Sequence, residues 1–250
     1  MTLTVVIGYD PREHEAFEVC RHSILRRTSE SVHIITLNER DLRQAGLYDR
    51  PYRVDENGQF WDGRDGRPFS TAFSFSRFLT SEVAKRAGAT GHVVFMDCDF
   101  ILQADIAELF DLAEAKYAVQ CVKHVHNPPD GLKMDAVMQT RYRRKNWSSL
   151  FLWNLDHPAN RQLTPELVNT AAGGWLHAFT WLRDTDIGRL PESWNWLAGV
   201  SPTTKPVVRE APNAIHYTNG GPWFPHMRDC PFAAEWLIEQ KHTHLALAGA

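Results

Sequence analysis

Apolar positions in the first half of the chain fall into two alternating periods. Thr4-Val5-Val6-Ile7, His33-Ile34-Ile35-Thr36-Leu37 and His92-Val93-Val94-Phe95-Met96 are short β-branched and aromatic runs. Runs of that length and composition read as buried strands. Between them, Phe17, Cys20, Ile24 and Leu25 recur at helical spacing. Asp10 stands ahead of them as an N-cap, with Pro11 at the first helical position and Glu13 completing a capping-box pattern. Ser74 to Ala87 predicts a second helix with Phe75, Phe78, Leu79 and Val83 inward and Gly88 as its stop. Asp105-Ile106-Ala107-Glu108 opens a shorter helix through Leu112, and Ala118 to Val122 predicts a further strand. Strand and helix in this order imply an α/β fold, a mostly parallel sheet with helices on both faces.

The second half is less regular. Leu150 to Trp153 predicts a strand, Pro165 to Ala172 a short helix stopped by Gly173-Gly174, and Phe232 to Leu247 a final helix. Asp49 to Pro68, dense in Gly, Asp, Arg and aromatics, reads as one long loop. The basic run Arg141-Tyr142-Arg143-Arg144-Lys145 reads first as a solvated face, and second as a contact for phosphate or an anionic lipid-linked acceptor. No repeat, low-complexity tract or linker divides the chain, so a single domain over residues 1–250 is expected.

Charge narrows the function classes. With 27 basic and 30 acidic residues the net charge is −3, which is no footprint for nucleic acid. Cys20, Cys98, Cys121 and Cys230 are scattered without zinc spacing, so reduced thiols in a cytoplasmic protein are expected. The chain shows no signal-peptide pattern and no run of ~18 apolar residues. At most peripheral contact with a membrane is expected.

The most informative chemistry follows the third strand. Asp97 and Asp99 flank Cys98 at its carboxyl end. Side chains alternate in extended chain, so the two carboxylates face the same side. Like charges that close repel, and a divalent cation removes the conflict. Hard oxygen ligands favour Mg²⁺ or Mn²⁺, ions that also hold substrate phosphates. The plainer reading makes both aspartates loop-starting caps. Gly8-Tyr9-Asp10 lies at the carboxyl end of the first strand, and open α/β sheets bind ligands at those ends.

Val6-Ile7-Gly8-Tyr9-Asp10, then Phe75-Ser76-Arg77-Phe78, then Asp97-Cys98-Asp99, resemble the core of GT-A-fold nucleotide-sugar glycosyltransferases. Lys145-Asn146-Trp147-Ser148-Ser149-Leu150 with Asn154, and His216-Tyr217-Thr218-Asn219-Gly220-Gly221-Pro222-Trp223, resemble glycosyltransferase family 8 and its bacterial relatives. The resemblance spans residues 4 to 224. It implies a Rossmann-like sheet, a donor such as a UDP-sugar, a Mn²⁺ or Mg²⁺ ion, and transfer with retention to a glycan or lipid-linked glycan. By position, Asp97, Asp99 and His216 would be the metal ligands. Gly8, Tyr9 and Asp10 would line the nucleotide, and Arg77 would hold the donor and orient the aspartates. Cys98, Asn146, Ser149, Gly220, Gly221 and Trp223 would complete the donor site. Residues 1–122 would form the nucleotide-sugar half, 123–231 the acceptor side, and 232–250 a C-terminal helix.

Two positions depart from the family's pattern. The family often places a lysine just before the late Pro-Trp, where this chain has Gly221. It also often carries an Asp-Gln-Asp triplet, absent from Trp175-Leu176-His177-Ala178-Phe179-Thr180. The rival readings are a nucleotidylyltransferase, for which Gly8-Tyr9-Asp10 offers no Gly-rich triphosphate loop, and a degenerate sugar-binding GT-A module.

Overall fold

Val5, Val6 and Ile7 of the first strand, β1 (Leu3–Gly8), are all fully buried. Neighbours on a strand point to opposite faces, so both faces of the sheet are covered, as an unbroken apolar run requires. The computed structural model describes residues 2–125, 131–133, 137–139, 144–201 and 211–249.

After β1 come α1 (His14–Arg27), β2 (Val32–Leu37), α2 (Glu39–Gln44), and three short strands, β3 (Tyr52–Val54), β4 (Phe60–Asp62) and β5 (Pro68–Phe69). Helix α3 (Thr80–Arg86) leads into β6 (His92–Met96), β7 (Phe100–Leu102), α4 (Ile106–Asp111) and β8 (Val119–Cys121). A hairpin, β9 (Gly131–Lys133) and β10 (Val137–Gln139), precedes β11 (Leu150–Asn154). The chain continues through α5 (Pro165–Thr170), α6 (Gly173–His177), β12 (Ile187–Arg189), β13 (Trp196–Leu197), β14 (Ala214–His216) and α7 (Ala233–Ala248).

The central sheet has the order β12-β8-β11-β6-β1-β2. β1 is parallel to β2 and β6, and β12 is parallel to β8. Only β11 runs against its neighbours, antiparallel to both β6 and β8. This is the mostly parallel α/β sheet expected from the sequence. The reversal of β11 matters for the site: the residues before it, Lys145 to Ser149, arrive at the edge that the residues after β6 leave. Leu150 pairs with Met96, and the Asp97 amide donates to the Ser149 carbonyl at 2.8 Å. A second small sheet, β13-β14-β7, sets His216 opposite Phe100 and so brings it beside Asp99.

The long loop expected over Asp49 to Pro68 is instead largely the antiparallel sheet β3-β4-β5. Its strands are too short to show an alternation, which is why the pattern hid them. Phe60 and Phe69 stack at 5.2 Å, and Asp55 Oδ1 accepts from the Asn57 and Gln59 amides to close the first turn. Buried Arg50 anchors the excursion. Its guanidinium donates twice to Asp62, at 2.7 Å each, and to the Val168 and Ala171 carbonyls. The helix expected from Ser74 starts as a 3₁₀ turn, Ser76–Leu79, before α3.

Helix α7 is tied to α1 by Glu239, which is 1% exposed. Its carboxylate accepts from Arg26 Nε at 3.0 Å and Arg26 Nη2 at 2.9 Å, with Arg27 Nη1 at 2.7 Å. Burial pushes this carboxyl up, but the bonds from Arg26 and Arg27 outweigh it and hold it below its ordinary value. A carboxyl lowered on folding stabilises the fold above its unfolded pKa, and that contribution is lost as pH falls through the folded pKa. Docking of α7 is therefore expected to weaken below about pH 4, read by faster amide exchange along α7. Glu239→Gln is expected to cost about 2 kcal/mol at neutral pH and to remove the acid-dependent step. An unchanged exchange profile would refute the clamp.

Candidate metal centre and its cavity

Asp97 and Asp99 leave the carboxyl end of β6 on one side of the turn, with Cys98 on the other. The Cys98 thiol is fully buried, 3.9 Å from Glu13 Oε2, and is pushed well above its ordinary pKa, first by burial and then by Glu13. Asp97 and Asp99 are joined by His216 from β14, and one ligand atom of each lies within 4.8 Å of the others. Asn195 sets the imidazole's tautomer. Its Nδ2 donates to Ser149 Oγ at 2.9 Å and to the Asn146 carbonyl at 3.3 Å, so its Oδ1 accepts from His216 Nδ1 at 2.9 Å. In a neutral ring with that tautomer, Nε2 presents its lone pair towards Asp99 Oδ1, 3.3 Å away, and among the described residues no hydrogen-bond partner meets Nε2. Phe100 stacks on the ring at 4.3 Å and fixes its plane. Two acceptor atoms held face to face under burial fit a shared cation, and the mixed imidazole and carboxylate set suits Mn²⁺ better than Mg²⁺.

Arg77 braces the centre. Its Nη1 donates to Asp97 Oδ1 at 2.7 Å and to the Ser148 carbonyl at 2.8 Å, while Nε reaches the Ser74 carbonyl. The cavity in front of the carboxylates is lined by Arg77, Lys145, Asn146, Ser148, Ser149 and His177, together with Asp65 and Arg67. His177 accepts or donates at Nδ1 to Ser148 Oγ, 2.8 Å away. Its pKa is driven well below the ordinary histidine value by burial and by the nearby Arg77 and Lys145 charges, so it stays neutral at physiological pH. Lys145 sits between two non-glycine residues in the left-handed region, Arg144 at φ 60° and Asn146 at φ 64°. Each costs about 1–2 kcal/mol, and their partners hold them there. Arg144 donates to the Ala178 carbonyl, pairs with Asp184 and lies over Trp147. The Asn146 carbonyl accepts from Ser149 and Asn195.

A second hollow opens at the ends of β1 and β2, between Tyr9, Arg12, Asn38, Arg43, Tyr52 and Phe60. The segment Ser70 to Ala72 separates it from the carboxylate cavity. Asp10 lines it, but its carboxylate is 1% exposed and already accepts from Arg12 and from the Ala72 amide. Gly8 packs under Phe73, where a Cβ would lie 2.4 Å from the ring. Gly220, at φ 98°, makes the turn after Thr218, and a Cβ on Gly221 would lie 2.1 Å from Trp223. Trp223 packs on Tyr217 and on Trp236 of α7. These three residues do not line the carboxylate cavity, whereas Asn146 and Ser149 do.

The chain is 46% identical over 237 residues to Protein CDI of Arabidopsis thaliana, a match covering 95% of this chain and 85% of that one. The chain belongs to the Protein CDI family. No protein-family profile matches it. Among solved structures, the bifunctional glycosyltransferase WbbM superposes with a TM-score of 0.61 at 17% identity over 96% of this chain. The chain spans about half of WbbM, 49% of its length. The galactosyltransferase LgtC, solved with donor and acceptor sugar analogues, superposes with a TM-score of 0.51 at 13% identity over 96% of both chains. The fold of this Protein CDI family member is therefore the GT-A glycosyltransferase fold, as the resemblance implied.

Three contributors to the site in this Protein CDI family member escape the sequence pattern. Asn195 has no motif to mark it, and its partner His216 lies 21 residues on. His177 sits in the segment searched for a missing triplet. Lys145 closes a basic run read as solvated, yet it is buried in the cavity wall; its position directly before Asn146 was the available signal.

Proposed function

We propose that this protein is a metal-dependent glycosyltransferase that transfers a sugar from a nucleotide-sugar donor, a UDP-sugar, to a glycan or lipid-linked glycan. The observation that carries the reading is the convergence of Asp97, Asp99 and His216, with ligand atoms within 4.8 Å of one another, at the carboxyl edge of a GT-A sheet. LgtC, of the same fold, binds donor and acceptor sugar analogues, which supports the same two substrates here. The hollow beside Tyr9 takes the nucleoside and the adjoining cavity takes the diphosphate and sugar. Asp97, Asp99 and His216 hold Mn²⁺, which supplies charge neutralisation to the diphosphate.

In the transfer, the bond from the anomeric carbon to the β-phosphate oxygen breaks with its electron pair on that oxygen. The acceptor hydroxyl oxygen forms the new bond to the anomeric carbon, and its proton passes to the departing phosphate. Arg77 keeps Asp97 aimed, and Asn195 fixes the orientation of the His216 ring with Nε2 towards the carboxylates. Neutral His177 and Ser148 present hydrogen-bonding groups to the sugar without adding charge. The reading includes retention at the anomeric carbon: the acceptor attacks on the face the phosphate leaves, with that phosphate as proton acceptor, so no side-chain nucleophile is assigned.

Calorimetric titration of UDP tests this. Binding is expected with Mn²⁺ present and to weaken at least tenfold after chelation. Equal binding with and without Mn²⁺ would overturn the metal's role, and no binding would remove the uridine assignment.

A further inference from the structure

We infer that Lys145 is the side chain that neutralises the departing diphosphate, an inference that rests on the donor reading above. The late turn cannot supply that charge. Gly221 has Trp223 folded against it so closely that a Cβ would lie 2.1 Å from the ring, and Trp223 itself packs on Tyr217 and Trp236. Among the described residues, the side-chain cations that line the carboxylate cavity are Arg67, Arg77 and Lys145.

These three differ in what they can do. Arg77 is committed to Asp97 and to the Ser148 and Ser74 carbonyls, so it orients the metal ligands. Arg67 is exposed and follows Asp65, whose opposite charge lines the same wall. Lys145 is 8% exposed and lines the same cavity as Asp97, Asp99 and His216. The backbone on either side of it is held in the left-handed region, at φ 60° and φ 64°, by bonds that lead to Ala178, Asp184, Ser149 and Asn195. Strain kept in place at a cavity wall points to a geometry needed for function. One of those bonds runs to Asn195, which also sets the tautomer of His216, so the lysine's turn and the metal ligand share a support.

The charges agree with this assignment. A divalent cation balances Asp97 and Asp99, while Asp65 and Arg67 balance each other. With Arg77 held against Asp97, Lys145 is the remaining positive charge of that lining to meet a nucleoside diphosphate-sugar. As the bond to the anomeric carbon breaks, the phosphate gains negative charge, and a buried ammonium stabilises that state more than the ground state.

The test compares UDP and uridine as ligands, both with saturating Mn²⁺, on wild type, Lys145→Gln and Lys145→Arg. Lys145→Gln is expected to weaken UDP about 10- to 100-fold, leave uridine unchanged, and lower transfer by at least as much. Lys145→Arg is expected to retain most UDP affinity. A second readout needs no folded Gln variant: after ¹³C-methylation of wild type, the Lys145 signal shifts with UDP and not with uridine. Undiminished UDP binding by Lys145→Gln, equal loss of UDP and uridine, or an unmoved Lys145 signal would each overturn the assignment while leaving the donor reading intact. Failure of wild type to bind UDP would overturn both.

Discussion

Asp99→Asn is expected to lower Mn²⁺-dependent sugar transfer by about 10²- to 10³-fold, with Mn²⁺ affinity falling in parallel. The substitution keeps the volume and removes one negative charge from a pair that a cation must balance. It also places an amide beside a buried imidazole nitrogen whose lone pair faces Asp99 Oδ1 at 3.3 Å. An amide nitrogen donating to His216 Nε2 would satisfy that nitrogen without metal, so the variant folds normally while its metal site is filled by a hydrogen bond. Mn²⁺ titration followed by electron paramagnetic resonance separates this from misfolding. Unchanged Mn²⁺ affinity in a folded variant would mean that Asp99 is not a ligand.

The largest effect on stability is expected at Arg50. Its side chain is fully buried, and Asp62 opposite it is 1% exposed at the side chain. Truncation to Ala leaves Asp62 as an uncompensated buried carboxylate and strips donors from the Val168 and Ala171 carbonyls. Losing one partner of a buried pair costs about 3–5 kcal/mol, or a fall of roughly 10 °C in melting temperature for a chain of this size. Asp62 is held below its ordinary pKa by the Arg50 bonds despite the opposing effect of burial. The carboxylate therefore stays charged near neutrality in the wild type. Arg50→Met with Asp62→Leu is expected to recover much of the loss, because neither charge is then stranded. A melting shift under 2 °C for Arg50→Ala would show that the excursion is held by its aromatic stack instead.

The central sheet and the metal site are legible in the sequence to different degrees, and the Arg50–Asp62 pair is not. The central strands could be read because their apolar runs are long enough to show they are buried. The aspartates could be read because period-two alternation puts Asp97 and Asp99 on one side regardless of tertiary context. His216 was reachable only through family resemblance, since a short pairing between β14 and β7 carries it to Asp99. Lys145 could not be singled out by composition: a basic run has no internal sign that this member is buried, and Arg141 to Arg143 lie outside the described residues. That burial depends on the two left-handed residues beside it, and neither Arg144 nor Asn146 is a glycine that would have marked them. The β3-β4-β5 sheet was missed because strands of two or three residues carry too few positions for a period.

The reversed strand of the central sheet makes the metal site and the donor wall inherit each other's errors. Because β11 enters the sheet from the edge that β6 leaves, Ser149 and Ser148 just ahead of it bond to the Asp97 amide and to Arg77. A change of length between Asn146 and Leu150 would displace the carboxylates together with the wall. This stretch can therefore accept exchanges of side chain far more readily than insertions.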